Sequence, residues 1–158
     1  MPIALRTGQN GNMNSPGNDP ARRIVVGIDG SPSSIAAAEW AARQAELTQS
    51  SLHAVTTWHP PTSFGYPMPI PEGYDPAGDA TAVLHDAVAS LRSRHPNVEI
   101  HTSVAEGHPA PILVDASTGA DLLVVGSRGH GEFAGMLLGS VSEHCVGHAR
   151  CPVVVFRH

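Results

Sequence analysis

The chain has 158 residues, of which 41% are hydrophobic and only 4% aromatic, so one domain with an aliphatic core is expected. The formal net charge is −5, which argues against a nucleic-acid or membrane-surface partner because both attract clustered basic charge. All nine basic residues are arginine, and the absence of lysine excludes a Walker-A phosphate loop and Schiff-base chemistry.

The N-terminal segment differs in composition from the rest of the chain. Residues 1–20 are rich in Gly, Asn, Pro and Ser and predict a disordered tail, which leaves 21–158 as the folded domain. The sequence shows neither a secretory leader nor an apolar run of membrane-spanning length, so a cytoplasmic location is expected. In that compartment Cys145 and Cys151 are expected to be a reduced, packed pair, although their closeness also permits a disulfide.

Strands and helices are predicted to alternate along the folded part. In chain order the pattern predicts strand 24–29, helix 32–47, strand 52–58, helix 80–94, strand 98–104, helix 109–117, strand 122–125, helix 140–148 and strand 152–156. This alternation predicts an α/β fold with a five-stranded parallel sheet, right-handed crossovers and helices on both faces. Ligands of such sheets bind beyond the carboxyl ends of the strands, where the winding reverses.

One long connection interrupts the alternation. Residues 59–79 are dense in Pro and Gly and predict a long loop, which is typically functional or mobile. Its aromatic residues Phe64, Tyr66 and Tyr74 could cover a nucleotide base, or could pack the loop onto its own domain.

The strongest chemical signal is a set of spaced glycines after the fourth strand. Gly126 permits close approach of a ligand to the backbone, and Gly129 is expected to take a positive φ that aims its N–H at an oxygen. Ser140 to Glu143 fits a capping box, and the first-turn N–H groups of the helix that follows favour an anion. Backbone amides, rather than the Ser140 hydroxyl, are expected to carry most of the binding. The alternative is a glycine-rich surface loop with an ordinary helix cap.

Asp29 follows the first strand and is a candidate acceptor for a ribose hydroxyl or an adenine amine. The alternative is a turn aspartate in an Asp-Gly pair.

The spacing Gly126-x2-Gly129-x9-Gly139-Ser140 resembles the signature of the ATP-binding branch of universal stress proteins. The resemblance extends from about Arg22 to Phe156 and includes the segments 25–31, 107–110 and 151–155. It implies a single Rossmann-like (adenine nucleotide alpha-hydrolase-like) domain that binds ATP, with Mg²⁺ as an optional companion, and that usually forms a homodimer.

The resemblance also implies a set of ATP-binding residues. Asp29 and Val55 match the adenosine end, Val125 and Gly126 lie along the ribose and first phosphate, and the later residues hold the phosphate tail. Arg128 either screens phosphate charge or points to water. The whole set is Gly27, Asp29, Val55, Val125, Gly126, Arg128, Gly129, Gly139, Ser140 and Val141.

Two other patterns are weaker. His144 and His148 are one helical turn apart near Glu143 and Cys151, which suits Zn²⁺, but a solvated helix face is the favoured interpretation because H-E-x-x-H is absent. The glycines around His130 loosely resemble a dinucleotide fingerprint, but they follow the fourth strand rather than opening the first helix.

The predicted function is that of a cytoplasmic ATP-binding stress or signalling module with at most weak ATPase activity. A homodimer is expected through the C-terminal strand 152–156, because an apolar sheet edge needs cover. The alternatives are a slow ATP-hydrolysing or nucleotidyl-transfer enzyme on the same fold, and a nucleotide-free dimeric interaction protein.

Overall fold

The computed structural model describes residues 22–130, 135 and 137–157, so the predicted tail over residues 1–20 lies outside the described part. The predicted alternation of strands and helices is confirmed. The elements are β1 (Arg23–Gly27), α1 (Pro32–Thr48), β2 (Ser51–Trp58), β3 (Thr62–Ser63), β4 (Tyr66–Pro67), α2 (Pro76–Arg94), β5 (Ile100–Glu106), α3 (Pro109–Ala116), β6 (Leu122–Gly126), α4 (Ser140–His148) and β7 (Val153–Phe156).

Five strands form one sheet in the order β5-β2-β1-β6-β7, and every neighbouring pair is parallel. The chain builds outward from β1 through β2 to β5, and then returns to the other side of β1 with β6 and β7. The winding therefore reverses between β1 and β6, and a crevice forms where the connections leave the carboxyl ends of these two strands. β7 lies at the edge of the sheet, as predicted.

The core has one hydrophobic layer on each face of the sheet, because successive strand side chains point to opposite faces. On one face α1 packs closely through alanines that are at most 1% exposed: Ala37, Ala38, Ala41, Ala42 and Ala45. Ile35 lies outside this buried stripe of α1, which begins at Ser34, and is 38% exposed. On the other face α3 and α4 cover residues such as Val25, Leu123 and Val125.

The long connection after β2 is shorter than predicted. Helix α2 begins at Pro76 because Asp75 caps it, its carboxylate accepting from the Gly78 N–H at 2.9 Å, so the loop ends before residue 76 rather than at 79. Within the loop β3 and β4 form an antiparallel hairpin. Phe64 at its tip is fully exposed and Tyr66 is 76% exposed, so neither ring packs on the domain, and Tyr74 is 47% exposed.

Within the residues that the structure describes, no helix is both long and apolar enough to span a bilayer.

Candidate functional site

A cavity of about 560 Å³ opens where the winding reverses, at the carboxyl ends of β1, β2 and β6. Its wall brings together all ten residues that the sequence suggested as a nucleotide site, although they are up to 114 positions apart as Gly27 and Val141. The ten are Gly27, Asp29, Val55, Val125, Gly126, Arg128, Gly129, Gly139, Ser140 and Val141. That they bind a nucleotide stays a prediction.

The start of α4 forms one end of the cavity and differs from the prediction. Gly139, not Ser140, is the N-cap residue, and no side chain caps the helix, so the expected capping box is wrong. The Ser142 hydroxyl points back into the loop, where its one hydrogen is shared between the Ser127 and Gly139 carbonyls at 3.0 and 2.9 Å. The Gly139 N–H also donates to the Ser127 carbonyl, at 2.7 Å, and this bond holds the helix start beside the end of β6.

The first turn of α4 consequently carries backbone amides without a helical acceptor. The N–H groups of Ser140, Val141 and Ser142 precede the first intrahelical bond, which runs from the Glu143 N–H to the Gly139 carbonyl. All three residues line the cavity. Three amide donors and the positive end of the helix dipole at a cavity wall are suited to bind a phosphate.

Gly129 is required for close packing rather than for an unusual backbone conformation. The predicted positive φ is wrong, since Gly129 is not among the described glycines with φ above zero. A Cβ at this position would instead lie 2.7 Å from Asp29 Oδ2. The glycine loop, which is the segment 127–129 after β6, therefore lies directly against the end of β1. The need for a glycine at position 129 comes from this contact across the cavity.

Two other glycines in the cavity wall have structural duties of their own. A Cβ on Gly126 would lie 2.5 Å from Ser33 Oγ, and one on Gly27 would lie 2.8 Å from a methyl carbon of Leu113. These glycines let α1 and α3 approach the strand ends. Gly139 is different, because a Cβ there would meet other atoms at no less than 3.5 Å, an ordinary contact distance.

Asp29 has the role of a turn aspartate and retains one oxygen for other contacts. Its Oδ1 accepts from the Ser31 N–H at 2.9 Å, while its Oδ2 faces Gly129. Partial burial raises the pKa of this carboxyl, but hydrogen bonds from Ser31 and Ser34, helped by the charge of His130, outweigh it and lower the pKa. Asp29 is therefore ionised at neutral pH, and its role toward a ribose stays a prediction.

The opposite end of the cavity is mainly apolar. Val55, Val125 and Leu113 from β2, β6 and α3 form its wall, a surface suited to a flat heterocyclic base. Sequence reasoning missed eight lining residues: Ile28, Ser34, Thr57, His59, Pro109, Leu113, His130 and Ser142. Strand alternation from Val55 points to Thr57 and His59, so that signal was available. The part played by His130 depends on contacts that no local pattern shows.

The described residues contain no group of three or more His, Cys, Asp or Glu side chains that could hold a metal ion. The His144 and His148 rings stack on the α4 surface with centroids 4.1 Å apart. Cys145 and Cys151 are both free, as the favoured interpretation predicted, and burial raises the pKa of the Cys145 thiol to about 11.

The comparison with known families agrees with this geometry. The model of the universal stress protein family matches residues 20–157. Two universal stress proteins of Mycobacterium tuberculosis, Rv2623 and Rv1996, are 40% and 37% identical to the chain over 141 and 146 residues. These alignments cover 84% and 90% of the chain but 46% of each relative, so the chain spans about half the length of the curated relatives it matches.

Solved structures share the same architecture. A universal stress protein in complex with cAMP is 29% identical, with a TM-score of 0.63 over 85% of this chain and 95% of that one. A protein of the universal stress protein family from Burkholderia pseudomallei is 27% identical, with a TM-score of 0.60 over 85% and 94% of the two chains.

Proposed function

Because the chain belongs to the universal stress protein family, we propose that its cavity binds an adenine nucleotide, with ATP as the expected ligand. The observation that carries the proposal is the start of α4, where three amides without helical acceptors lie at the cavity wall. The solved relative that holds cAMP, at 29% identity, supports the same class of ligand.

The two ends of the cavity match the two ends of a nucleotide. The base lies against the apolar wall formed around Val55 and Leu113, and the phosphates lie at Gly129 and the first turn of α4. Asp29 Oδ2, which faces Gly129, would accept from a ribose hydroxyl. Arg128 lines the cavity and would supply positive charge toward the phosphates in a chain that has no lysine.

Mg²⁺ would enter with the nucleotide in this scheme. The described residues present no cluster of three or more His, Cys, Asp or Glu side chains for a metal, so phosphate oxygens and water would supply its ligands. The bound ion would offset phosphate charge that the protein itself offsets only in part.

The proposed role is a stress-response module in the cytoplasm, in which the bound nucleotide changes conformation or partner choice. Rapid hydrolysis is not part of the proposal, since the lowered pKa of Asp29 makes this carboxylate a weak general base. Single-turnover measurements test this: release of ADP or AMP faster than about 1 s⁻¹ would favour the enzyme alternative instead.

Calorimetric titration with ATP tests the binding itself, together with mass spectrometry of any small molecule that co-purifies. Gly129→Val should weaken binding by about 100-fold or more, because the side chain would collide with Asp29 and displace the glycine loop. Gly147→Val is the matched control, since a Cβ on this α4 glycine meets nothing within 4 Å. Unchanged affinity in Gly129→Val, or no binding by the parent protein, contradicts the proposed site.

We further propose that the protein forms a homodimer through β7. The ladder bonds from the Leu123 N–H to the Pro152 carbonyl and from the Ser127 N–H to the Phe156 carbonyl fix which β7 groups face β6. By alternation the Val155 N–H faces outward from the sheet edge. Val155→Pro removes this donor, and sedimentation should show the dimer shifting to monomer, whereas a monomeric parent protein would refute the dimer.

A further inference from the structure

His130 lies directly after Gly129 in the cavity wall and connects the glycine loop to the end of β1. Its Nε2 lies 2.7 Å from the backbone carbonyl oxygen of Asp29. The side chain of Asp29 meanwhile packs against Gly129. The His130 side chain thus contacts the backbone at the end of β1, and the Asp29 side chain contacts the backbone of the glycine loop. These two contacts join the same two segments across the cavity.

The hydrogen bond determines which ring nitrogen can change its protonation. A carbonyl oxygen can only accept, so Nε2 must carry a hydrogen and donate it. This bond is compatible with the neutral and the charged ring alike, and a second proton is taken up at Nδ1. His130 can therefore hold the loop in either protonation state of its ring.

We propose that His130 is a positioning residue for the glycine loop whose ring, when protonated, also strengthens the binding of nucleotide phosphate. The inference rests on the proposed function and adds a regulation of that same site by pH. It assigns the neutral ring a geometric role, through the bond to the Asp29 carbonyl, and assigns the cation an electrostatic role toward the phosphates.

The charged groups around the ring set the size of the effect. In the described part of the chain, the titratable or charged residues that share the cavity with His130 are Asp29, His59 and Arg128. Glu143 adds a carboxylate in the first turn of α4. Because Asp29 already attracts the imidazolium and His130 is exposed, the gain toward a phosphate is expected to be about threefold to fivefold.

Calorimetry with two probes isolates this effect. The phosphodiester of cAMP keeps one charge throughout the titration range of histidine, and adenosine carries no phosphate, so neither probe titrates itself. The parent protein should bind cAMP about threefold to fivefold more tightly at about pH 6 than at about pH 8, with no such change for adenosine.

Two variants separate the geometric from the electrostatic role. His130→Gln keeps a donor for the Asp29 carbonyl but cannot titrate, so it should retain the affinity of the parent protein at about pH 8 and lose the pH dependence. His130→Ala should bind more weakly at both pH values. His59→Gln tests the other histidine of the cavity wall, and it should leave the pH dependence unchanged.

The outcomes are distinguishable. If His130→Gln keeps the full pH dependence, or if adenosine shows the same dependence, the electrostatic role is refuted while the proposed nucleotide site stands. If His130→Ala binds as tightly as the parent protein at both pH values, the positioning role is refuted. If the parent protein binds neither probe nor ATP, the proposed function and this inference fail together.

Discussion

The starts of α1 and α4 are the two most instructive regions to compare, because each helix follows one of the two strands at which the winding reverses. At α1 the Ser31 side chain accepts from the Ser34 N–H at 3.2 Å, and Asp29 accepts from the Ser31 N–H. At α4 the N-cap is a glycine and no side chain caps the helix. At the start of α1 a side chain accepts from a first-turn backbone N–H, whereas at the start of α4 no side chain does so.

The difference separates structural from functional polar groups. An aspartate or serine N-cap stabilises a helix by about 0.3 kcal/mol more than glycine does, and α4 forgoes that stabilisation where its first turn lines the cavity alongside the glycine loop. A helix start that lacks a side-chain cap beside a cavity indicates a ligand-binding site, whereas a helix start that has its cap indicates a structural role. The two helix starts can be made more alike or less alike by mutation.

The largest effect is expected from giving α4 the cap that it lacks. Gly139→Asp would place a carboxylate at the N-cap, where the extended backbone (φ −77, ψ 166) and the ordinary contact distances accept a side chain. The fold should gain only about 0.3 kcal/mol in urea unfolding, since the carboxylate satisfies a first-turn amide but glycine is already an acceptable N-cap residue. ATP affinity should fall by about 100-fold, because the same amide is lost and a negative charge is added.

Gly139→Ala is the matched control for that variant. It adds a methyl group without a cap or a charge, so a comparable loss of affinity in Gly139→Ala would mean that crowding, not capping, is the cause. Unchanged affinity in Gly139→Asp would show that the amides of α4 are not the phosphate site.

The second effect concerns a polar cluster between α1 and the C-terminal end of α2, in which the side chains bond to one another. The buried His95 ring bonds to Glu46 through Nδ1 and to Glu39 through Nε2, each at 3.0 Å, and Arg94 pairs with Glu39 at 3.1 Å. The hydrogen bonds to Glu46 and Glu39 raise the pKa of His95 above its ordinary value. Because both ring nitrogens donate to carboxylates, the folded state favours the imidazolium.

His95→Gln should therefore destabilise the protein by about 2 kcal/mol in mildly acidic solution, a figure that allows for the partial exposure of both glutamates. The contribution is complete below about pH 6.5, the unfolded value, and is lost as the pH rises through the raised folded pKa. Urea unfolding of both proteins at several pH values measures this. A stability difference that grows with rising pH would contradict the assignment, and ATP affinity should not change.

A smaller effect is expected at the start of α1. Ser31→Ala removes the cap and should cost about 1 kcal/mol of stability. The backbone N–H that Asp29 accepts remains, so ATP affinity measured well below the unfolding temperature should stay the same. Thermal unfolding paired with calorimetry checks both expectations, and a large loss of affinity would place the start of α1 in the binding site as well.

The smallest effect is expected at Ser140, the first residue of α4. Its hydroxyl does not cap the helix, and the proposal assigns phosphate binding to the amides, so Ser140→Ala should weaken ATP by no more than about threefold. Stability should be unaffected. A loss near 100-fold in the same titration would shift the phosphate contact from the backbone to the serine side chain.

Local sequence patterns were sufficient to predict much of the fold. The alternating apolar runs and helical segments predicted five parallel strands and four helices, and the helix predicted to begin at residue 32 does begin there, as α1. The spacing of Gly126, Gly129 and Gly139 also identified residues that line one cavity. These features are local because they depend on backbone preferences and on hydrophobic periods within a few residues.

The tertiary structure alone decided what those residues contact. Gly129 has no room for a Cβ because Asp29, a hundred positions earlier, packs against it, and the N-cap of α4 is Gly139, which bonds to the Ser127 carbonyl at the end of β6. The bond of His130 to the Asp29 carbonyl has no counterpart in any local pattern. The physical reason is that the strand order brings β1 and β6 side by side, and contacts between distant segments follow from that pairing rather than from the preferences of either segment.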